Sequence, residues 1–423
     1  MTETKYDALI VGAGVAGLTA ALHLEEYNLN TLVIDAQDRA GGRVRTSEHD
    51  GFKLDHGFQI LLSSYPMAQK YLNLEALNTA AFKAGALCFN GEQRFKVLDT
   101  TRNKSALLPM AFSPVGSFMD KIRVGNLAAR LKKKSLEDIF NGPNISTQQY
   151  LEDLGFSSKI ITRFFRPFYT GIFLEPDLKT SARIFEFTFK MFAEGQALIP
   201  KGGIEEIPKQ MKSRLKRTQF KFNAKVAAVK PGEVHLQDGE ILKAQQIIVA
   251  CPLEQVSDQV QDEQVWNSTE QFYFAAPHKP FKDNLIAINS SEHAKVNNLA
   301  VLSNLSPDFK SNQKELIQVS VQPGLKFSSQ KEAIRNIKDE LATSFGVAVQ
   351  DWEFLQSYKI HKALPQVLDP ANEQPFEQSL VKEGIYNAGD QLLNPSLNGA
   401  MLSGEMAAKA LVLNHVNHQA WDK

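Results

Sequence analysis

The residues whose types and spacing could do chemistry begin with three glycines. Gly12, Gly14 and Gly17 stand in GxGxxG order directly after an apolar run, Ala8-Leu9-Ile10-Val11, short enough to be a buried parallel strand. Leu18, Ala20, Ala21, Leu22 and Leu24 follow at helical spacing, and a second apolar run, Thr31 to Ile34, ends in Asp35. Strand, glycine turn, helix, strand and acid in this order predict a dinucleotide site. Gly12 permits the tight turn, Gly14 lets backbone N–H groups approach a pyrophosphate, and Gly17 lets the helix lie close to the strand. The positive end of the helix then faces the phosphates. Asp35 stands where a carboxylate can accept hydrogen bonds from an adenosine ribose. A glycine-rich turn without a ligand is the bland alternative, and the ordered context argues against it.

A second glycine turn follows at once, with Gly41 and Gly42 flanked by Arg39, Arg43 and Arg45. A nicotinamide dehydrogenase has no need of it. A flavin dinucleotide, extended across the domain, could use Gly41 and Gly42 for close approach and Arg43 for its negative charge. Far along the chain, Ile385-Tyr386-Asn387 reads as a strand running into Ala388-Gly389-Asp390, and Pro395 to Met401 opens a helix that continues past Gly404. A strand, an acid and a helix N-terminus can hold a ribityl chain and the edge of a flavin, and the helix dipole favours negative charge on the reduced ring.

On these segments the chain resembles the flavin-containing amine oxidoreductase superfamily, which includes amine oxidases, protoporphyrinogen oxidase and the phytoene and carotene desaturases. The stretch RPFYTGIFLEPDLKTSARIF, residues 166–185, is similar to the desaturase-like branch. The resemblance implies an α/β fold, with a Rossmann-like FAD-binding domain and an inserted α+β substrate domain. It implies FAD contacts at Gly12, Gly14, Val15, Ala16, Gly17, Asp35, Ala36, Gly41, Gly42 and Arg43. Gly57 and Phe58, next to Asp55-His56, would lie close to the isoalloxazine, and Val226 would offer backbone groups to the adenine. Gly389 and Asp390 would meet the ribityl-pyrophosphate region, with Leu397, Asn398, Gly399 and Ala400 beside the ring. No catalytic base is obligatory for this chemistry. His56 and His361 are the candidate polar residues, the first also readable as a loop histidine with a local hydrogen bond and the second as a member of a surface ion pair.

A chain of 423 residues exceeds the size at which one core keeps growing, so two domains are expected. The nucleotide-binding domain is read as residues 1–85, 200–259 and 351–423. The substrate domain is read as 86–199, mostly helical, and 260–350, a sheet plus a helix from Gln330 to Phe345. Phe164 to Phe192 is the most aromatic segment, suited either to a core or to the wall of an apolar pocket.

Two departures from the family bear on substrate. Leu397 stands where amine oxidases present an aromatic residue of the amine cage. A lysine found in many of them falls, by ungapped counting from Pro280-Phe281, at Phe272. Both favour an apolar substrate, isoprenoid or polyene, whose burial is worth roughly 0.8 kcal/mol per CH₂. No cysteine lies near the C-terminal motif, so FAD is expected to be noncovalent, with oxygen or a quinone as electron acceptor. The alternatives are an amine oxidase with a modified amine site and a nonenzymatic flavin-binding scaffold.

Composition excludes other classes. Net charge is zero, which speaks against nucleic acid as a partner. The two cysteines, Cys88 and Cys251, have no metal-ligand or disulfide-framework spacing, so no metal is expected and the compartment is read as cytoplasmic. No apolar run of about 20 residues predicts a membrane span. Ser117 to Ser135 interleaves Lys121, Arg123, Arg130, Lys132, Lys133 and Lys134 with apolar residues. It could sit on an anionic membrane surface or be a solvated helix face.

Overall fold

The computed structural model describes residues 6–99, 102, 113–253, 256, 264–373 and 376–421. An eight-stranded sheet carries the first glycine turn. Its parallel centre runs Gln219–Lys221, Thr31–Ile34, Tyr6–Val11, Ile241–Val249 and Ile385–Asn387. Helices cover both faces of such strands, which is why they read as continuous apolar runs rather than alternating ones. Val226–Lys230 and Glu233–Leu236 add an antiparallel ribbon beside Ile241–Val249. The helix Val15–Glu26 packs against the long C-terminal helix Leu397–Trp421. A Cβ on Gly404 would come within 2.1 Å of the Ala16 carbonyl oxygen, so only glycine lets the two backbones meet there.

A second sheet has seven strands, in the order Glu353–Pro365, Trp266–Ala276, Glu315–Val321, Val296–Val301, Ile286–Asn289, Gly85–Asn90 and Gln93–Leu98. One face buries Phe272, Phe274, Leu299 and Val319 beneath Ile337 and Leu341 of the helix Gln330–Phe345. That helix starts at Ser329, whose hydroxyl accepts from the Glu332 amide, and stops at Gly346, where φ is +90°. The other face looks toward a helical layer that includes Phe118–Lys133, Arg166–Phe173 and Ala182–Glu194. Between the sheets, Ala197–Pro200 pairs with Leu61–Leu62 and Thr79–Ala81. The molecule is thus a Rossmann-like α/β domain with an inserted α+β domain.

One local feature and one boundary differ from the sequence reading. The segment 86–199, expected to be mostly helical, opens instead with the hairpin Gly85–Asn90 and Gln93–Leu98, turning at Gly91 with φ +55°. Buried Ala86, Leu87, Cys88 and Phe89 hide the period-2 alternation, leaving Asn90-Gly91 as the legible signal. Glu353–Pro365, assigned to the nucleotide-binding portion, pairs along Trp266–Ala276 as an edge strand of the second sheet. Its charges, Lys359 and Lys362 among them, are normal at a sheet edge but mask the strand pattern.

Candidate active site

A cavity of about 950 Å³ runs from the glycine turn between the two sheets. That volume is within the range of ligand sites. At one end lie Gly12, Gly14, Val15, Ala16, Asp35 and Ala36, with Gly41, Gly42 and Val226 beside them. Gly14 sits at the helix N-cap and no side chain caps it, so the first-turn N–H groups keep their hydrogen-bonding capacity. A Cβ at Gly14 would meet nothing within 4 Å, whereas one at Gly17 would lie 1.9 Å from the Gly12 carbonyl oxygen. Gly14 therefore leaves room for a ligand and Gly17 serves packing. Asp35 braces the turn: its carboxylate accepts from the Ala13 amide at 2.6 Å and the Gln37 amide at 2.8 Å. Uncapped donors, a cradle without side chains and a positioned acid fit the pyrophosphate and ribose of a dinucleotide.

The two distant motifs are joined by an ion pair. Arg43 donates from its two terminal guanidinium nitrogens to Asp390, at 3.0 and 2.5 Å, and also to the Ala363 carbonyl at 3.1 Å. Bidentate pairing of this kind fixes geometry as well as charge. Arg43 was expected to face the ligand's negative charge; it lines the cavity, but two of its bonds are spent on Asp390. Its guanidinium also lies 5.3 Å from the Trp266 ring centre, and Lys362 lies 5.8 Å from the same ring.

Gly57, Phe58, Gly389, Leu397 and Ala400 line the middle of the cavity. Three expected contacts do not line it. Gly17 is packed on Gly12, Asn398 is buried with its side-chain oxygen accepting from the Met67 amide at 3.1 Å, and Gly399 lies under Asn394. Each of the three holds the local fold instead.

His56 also lines the cavity, stacked on Tyr358 at 4.1 Å, with Nε2 2.8 Å from the Ser47 hydroxyl. Burial pushes its pKa below the ordinary value, and the Arg45 and Arg39 charges act in the same direction. Both effects favour the neutral imidazole over the charged form. His361 is different: strand alternation sends Ile360 and Lys362 toward the cavity and leaves His361 exposed outside it. It therefore loses its place as a candidate catalytic group.

Beyond His56 the cavity opens into a chamber with apolar walls, including Ile60, Phe168, Ile172, Phe173, Ile184 and Phe192. The aromatic segment thus serves both purposes, since Phe165, Phe185 and Phe187 are buried core. Phe272, counted as the counterpart of the amine oxidases' lysine, is fully buried on the far face of the sheet. Gln271, one residue earlier, faces the chamber with Thr269, Asn297, Asn298 and Ser320. Sequence reasoning missed these five, because isolated amides and hydroxyls in strands look like ordinary alternation. Cys251 lines the nucleotide end beside Gly12, far in sequence from the C-terminal motif, and Cys88 lies in the core.

A Rossmann-like sheet, a second domain closing over it and a continuous cavity between define a two-domain flavoprotein fold. The model of the flavin-containing amine oxidoreductase family matches residues 15–412, and the chain belongs to that family. That family is one of flavin-containing oxidoreductases, and membership implies a flavin cofactor. Among curated relatives, chloroplastic protoporphyrinogen oxidase of Nicotiana tabacum is 28% identical over 199 residues, 46% of this chain and 34% of that protein. Pseudooxynicotine dehydrogenase of a Pseudomonas species is 48% identical over 56 residues, 13% of this chain and 11% of that one. The chain thus spans about a third or less of the length of these relatives. The crystal structure of an oxidoreductase from Methanosarcina mazei superposes with a TM-score of 0.71 over 95% of this chain and 99% of its own, at 16% identity. That likeness concerns the fold alone. No helix among the described residues is long and apolar enough to cross a membrane.

Proposed function

We propose that this protein oxidises a largely apolar carbon skeleton, of isoprenoid or polyene type, with noncovalently held FAD supplying the electron sink for the hydride equivalent removed. The observation that carries this reading is the distribution of charge in the cavity. Its charged lining residues are Asp35, Arg43, Arg45, Lys225, Lys362 and Asp390. Asp35 braces the glycine turn at the nucleotide end and Asp390 is paired with Arg43, so among the described residues no carboxylate is left in the chamber to receive an ammonium group. An amine substrate would enter a site built without its counter-charge.

The chain's own groups have distinct parts. Gly14, Val15 and Ala16 offer backbone donors to a pyrophosphate, and Asp35 accepts from a ribose. Leu397 and Ala400, at the N-terminus of the last helix, put its positive end toward the ring. Phe168, Ile172, Phe173 and Phe192 exclude water and orient the skeleton. In its neutral form, which burial favours, His56 can accept or donate one hydrogen bond without bringing charge into the chamber. Oxygen or a quinone would receive the electrons.

The test is the absorbance spectrum of the purified protein, followed by anaerobic titration with polyenes, porphyrinogens and amines. Bleaching of a two-banded flavin spectrum by a polyene supports the reading. Bleaching by amines alone overturns it in favour of an amine oxidase with an altered site. A flavin that no substrate class and no acceptor can cycle would instead mark a scaffold.

Peripheral attachment to an anionic membrane is a further part of the proposal. Phe118, Met119 and Ile122 are exposed, at 69%, 51% and 41%, on the first turns of the helix Phe118–Lys133. Much of the basic face is committed elsewhere: Lys121 donates to the Ser113 carbonyl, and Lys134 pairs with Glu186 at 2.5 Å. Apolar insertion would thus outweigh electrostatics. Sedimentation with anionic vesicles that is lost in Phe118→Ser is the expected result; no sedimentation at low salt rules it out.

A further inference from the structure

Three adjacent strands present a row of uncharged polar side chains to the chamber. Gln271 lies directly across from Ser320, and Ser320 directly across from Asn298, so the three form one line perpendicular to the strands. Thr269 stands two residues before Gln271 on the same face, and Asn297 adjoins Asn298. All five line the cavity, and each is at most 9% exposed.

Their hydrogen bonds form a connected chain. Asn297 donates to the Pro167 carbonyl at 3.0 Å, and Asn298 donates to the Asn297 side-chain oxygen at 2.7 Å. The Ser320 hydroxyl lies 2.9 Å from the Asn298 oxygen and 2.7 Å from the Gln271 oxygen, and Gln271 donates to the Thr269 hydroxyl at 2.8 Å. Behind the row, Gln318 donates to Gln271 and to Ser320, while its own Oε1 is buried without a partner. Each carboxamide carries two N–H donors, and Gln271, Asn297 and Asn298 each spend one on these contacts. A fold that needed only a packed face would use Val or Leu here, as the opposite face does with Phe272, Val319 and Leu299.

From this row we infer that the chamber reads a neutral hydrogen-bonding group, a hydroxyl, carbonyl or carboxamide, carried on the otherwise apolar substrate. The inference rests on the reading of the cavity as the substrate site of an FAD-dependent oxidoreductase. Carboxamides and hydroxyls both donate and accept without net charge, so they match a neutral polar group. None of the five row residues carries a charge, so a substrate carboxylate or ammonium set against the row itself would meet only neutral partners, with a desolvation cost that a neutral group avoids.

A matched ten-carbon isoprenoid series separates these classes. The probes are geraniol, geranamide, geranic acid and geranylamine, added to the FAD-loaded protein and read by flavin absorbance perturbation and by thermal shift. Geraniol and geranamide are expected to bind at least tenfold tighter than the acid or the amine. Gln271→Leu and Ser320→Ala should each weaken geranamide by about 3- to 10-fold, the range for one neutral hydrogen bond. Ser320→Ala removes a single oxygen, so it keeps the test open if Gln271→Leu fails to fold. Equal or tighter binding of the acid or the amine overturns the inference. So does unchanged affinity in both folded variants, or the absence of any response to geraniol and geranamide. Protein that takes up no FAD defeats the proposed function, and thermal shift still reports separately on the polar row.

Discussion

Two glycines three residues apart are expected to fail in opposite ways. Gly14 has φ −71° and ψ 179°, a conformation open to β-branched residues, and space beyond its missing Cβ. Gly14→Val should therefore leave the ligand-free protein within about 1 kcal/mol of the parent, the ordinary scale for a change at an N-cap. Its isopropyl group, however, would stand in the cradle where a pyrophosphate must approach the helix. In Gly17→Ala the single methyl would lie 1.9 Å from the Gly12 carbonyl oxygen, a contact that requires backbone movement. Helix propensity would gain up to about 1 kcal/mol from alanine, but overpacking of this kind costs about 1–3 kcal/mol or more. Net destabilisation of about 1–2 kcal/mol should appear with or without cofactor. The assay is urea unfolding in the absence and presence of FAD, because a ligand that binds only the native state adds RT ln(1 + [L]/Kd). Each tenfold loss of affinity removes about 1.4 kcal/mol from that increment. Gly14→Val should lose most of the increment, whereas Gly17→Ala should lose about 1–2 kcal/mol of the baseline and keep the increment. A Gly14→Val variant that keeps the full FAD increment would refute the assignment of the cradle.

Other perturbations follow from single contacts. Burial pushes the Asp55 carboxyl from 3.8 up to about 6, against hydrogen bonds from Thr46 and Ile204. The folded state thus holds this proton more tightly than the unfolded chain, and stability should fall as pH rises from about 4 to 6, by about 3 kcal/mol. Asp55→Asn should flatten that slope in a denaturation series; an unchanged slope would assign it to other groups. Arg43→Gln leaves the Asp390 carboxylate, 5% exposed, without its cation and should cost about 1–3 kcal/mol. Adding Asp390→Asn should restore part of the loss in thermal unfolding, and no restoration would mean that the pair is not the cause. The His56 ring, followed by NMR, should titrate below the ordinary value of about 6.5, and a midpoint at or above it would remove the neutral imidazole from the chamber.

The nucleotide half was legible because its signals are local. Gly12, Gly14, Gly17 and Asp35 lie within one strand-helix-strand unit, and neighbours in sequence are neighbours in space. The chamber was not legible, for a reason of geometry. Gln271, Asn298 and Ser320 become a row only through strand register, and a shift of one residue exchanges one sheet face for the other. Counting to Phe272 fell on the apolar face for that reason. The helix Gln330–Phe345, periodic and capped, coincided with its expected limits. The strand Glu353–Pro365 was hidden because an edge strand carries charges that mimic a loop.

The clasp between Arg43 and Asp390 also has a meaning in time. The two residues are separated by 347 positions, so at about 5–20 residues per second the ribosome delivers the carboxylate roughly 17–70 seconds after the guanidinium. Until then the first glycine turn exists without the strand, acid and last helix that complete its cavity. A cofactor that needs the completed cavity would therefore load only after the C-terminal segment is made, and until then the apolar walls of the chamber would lack their covering.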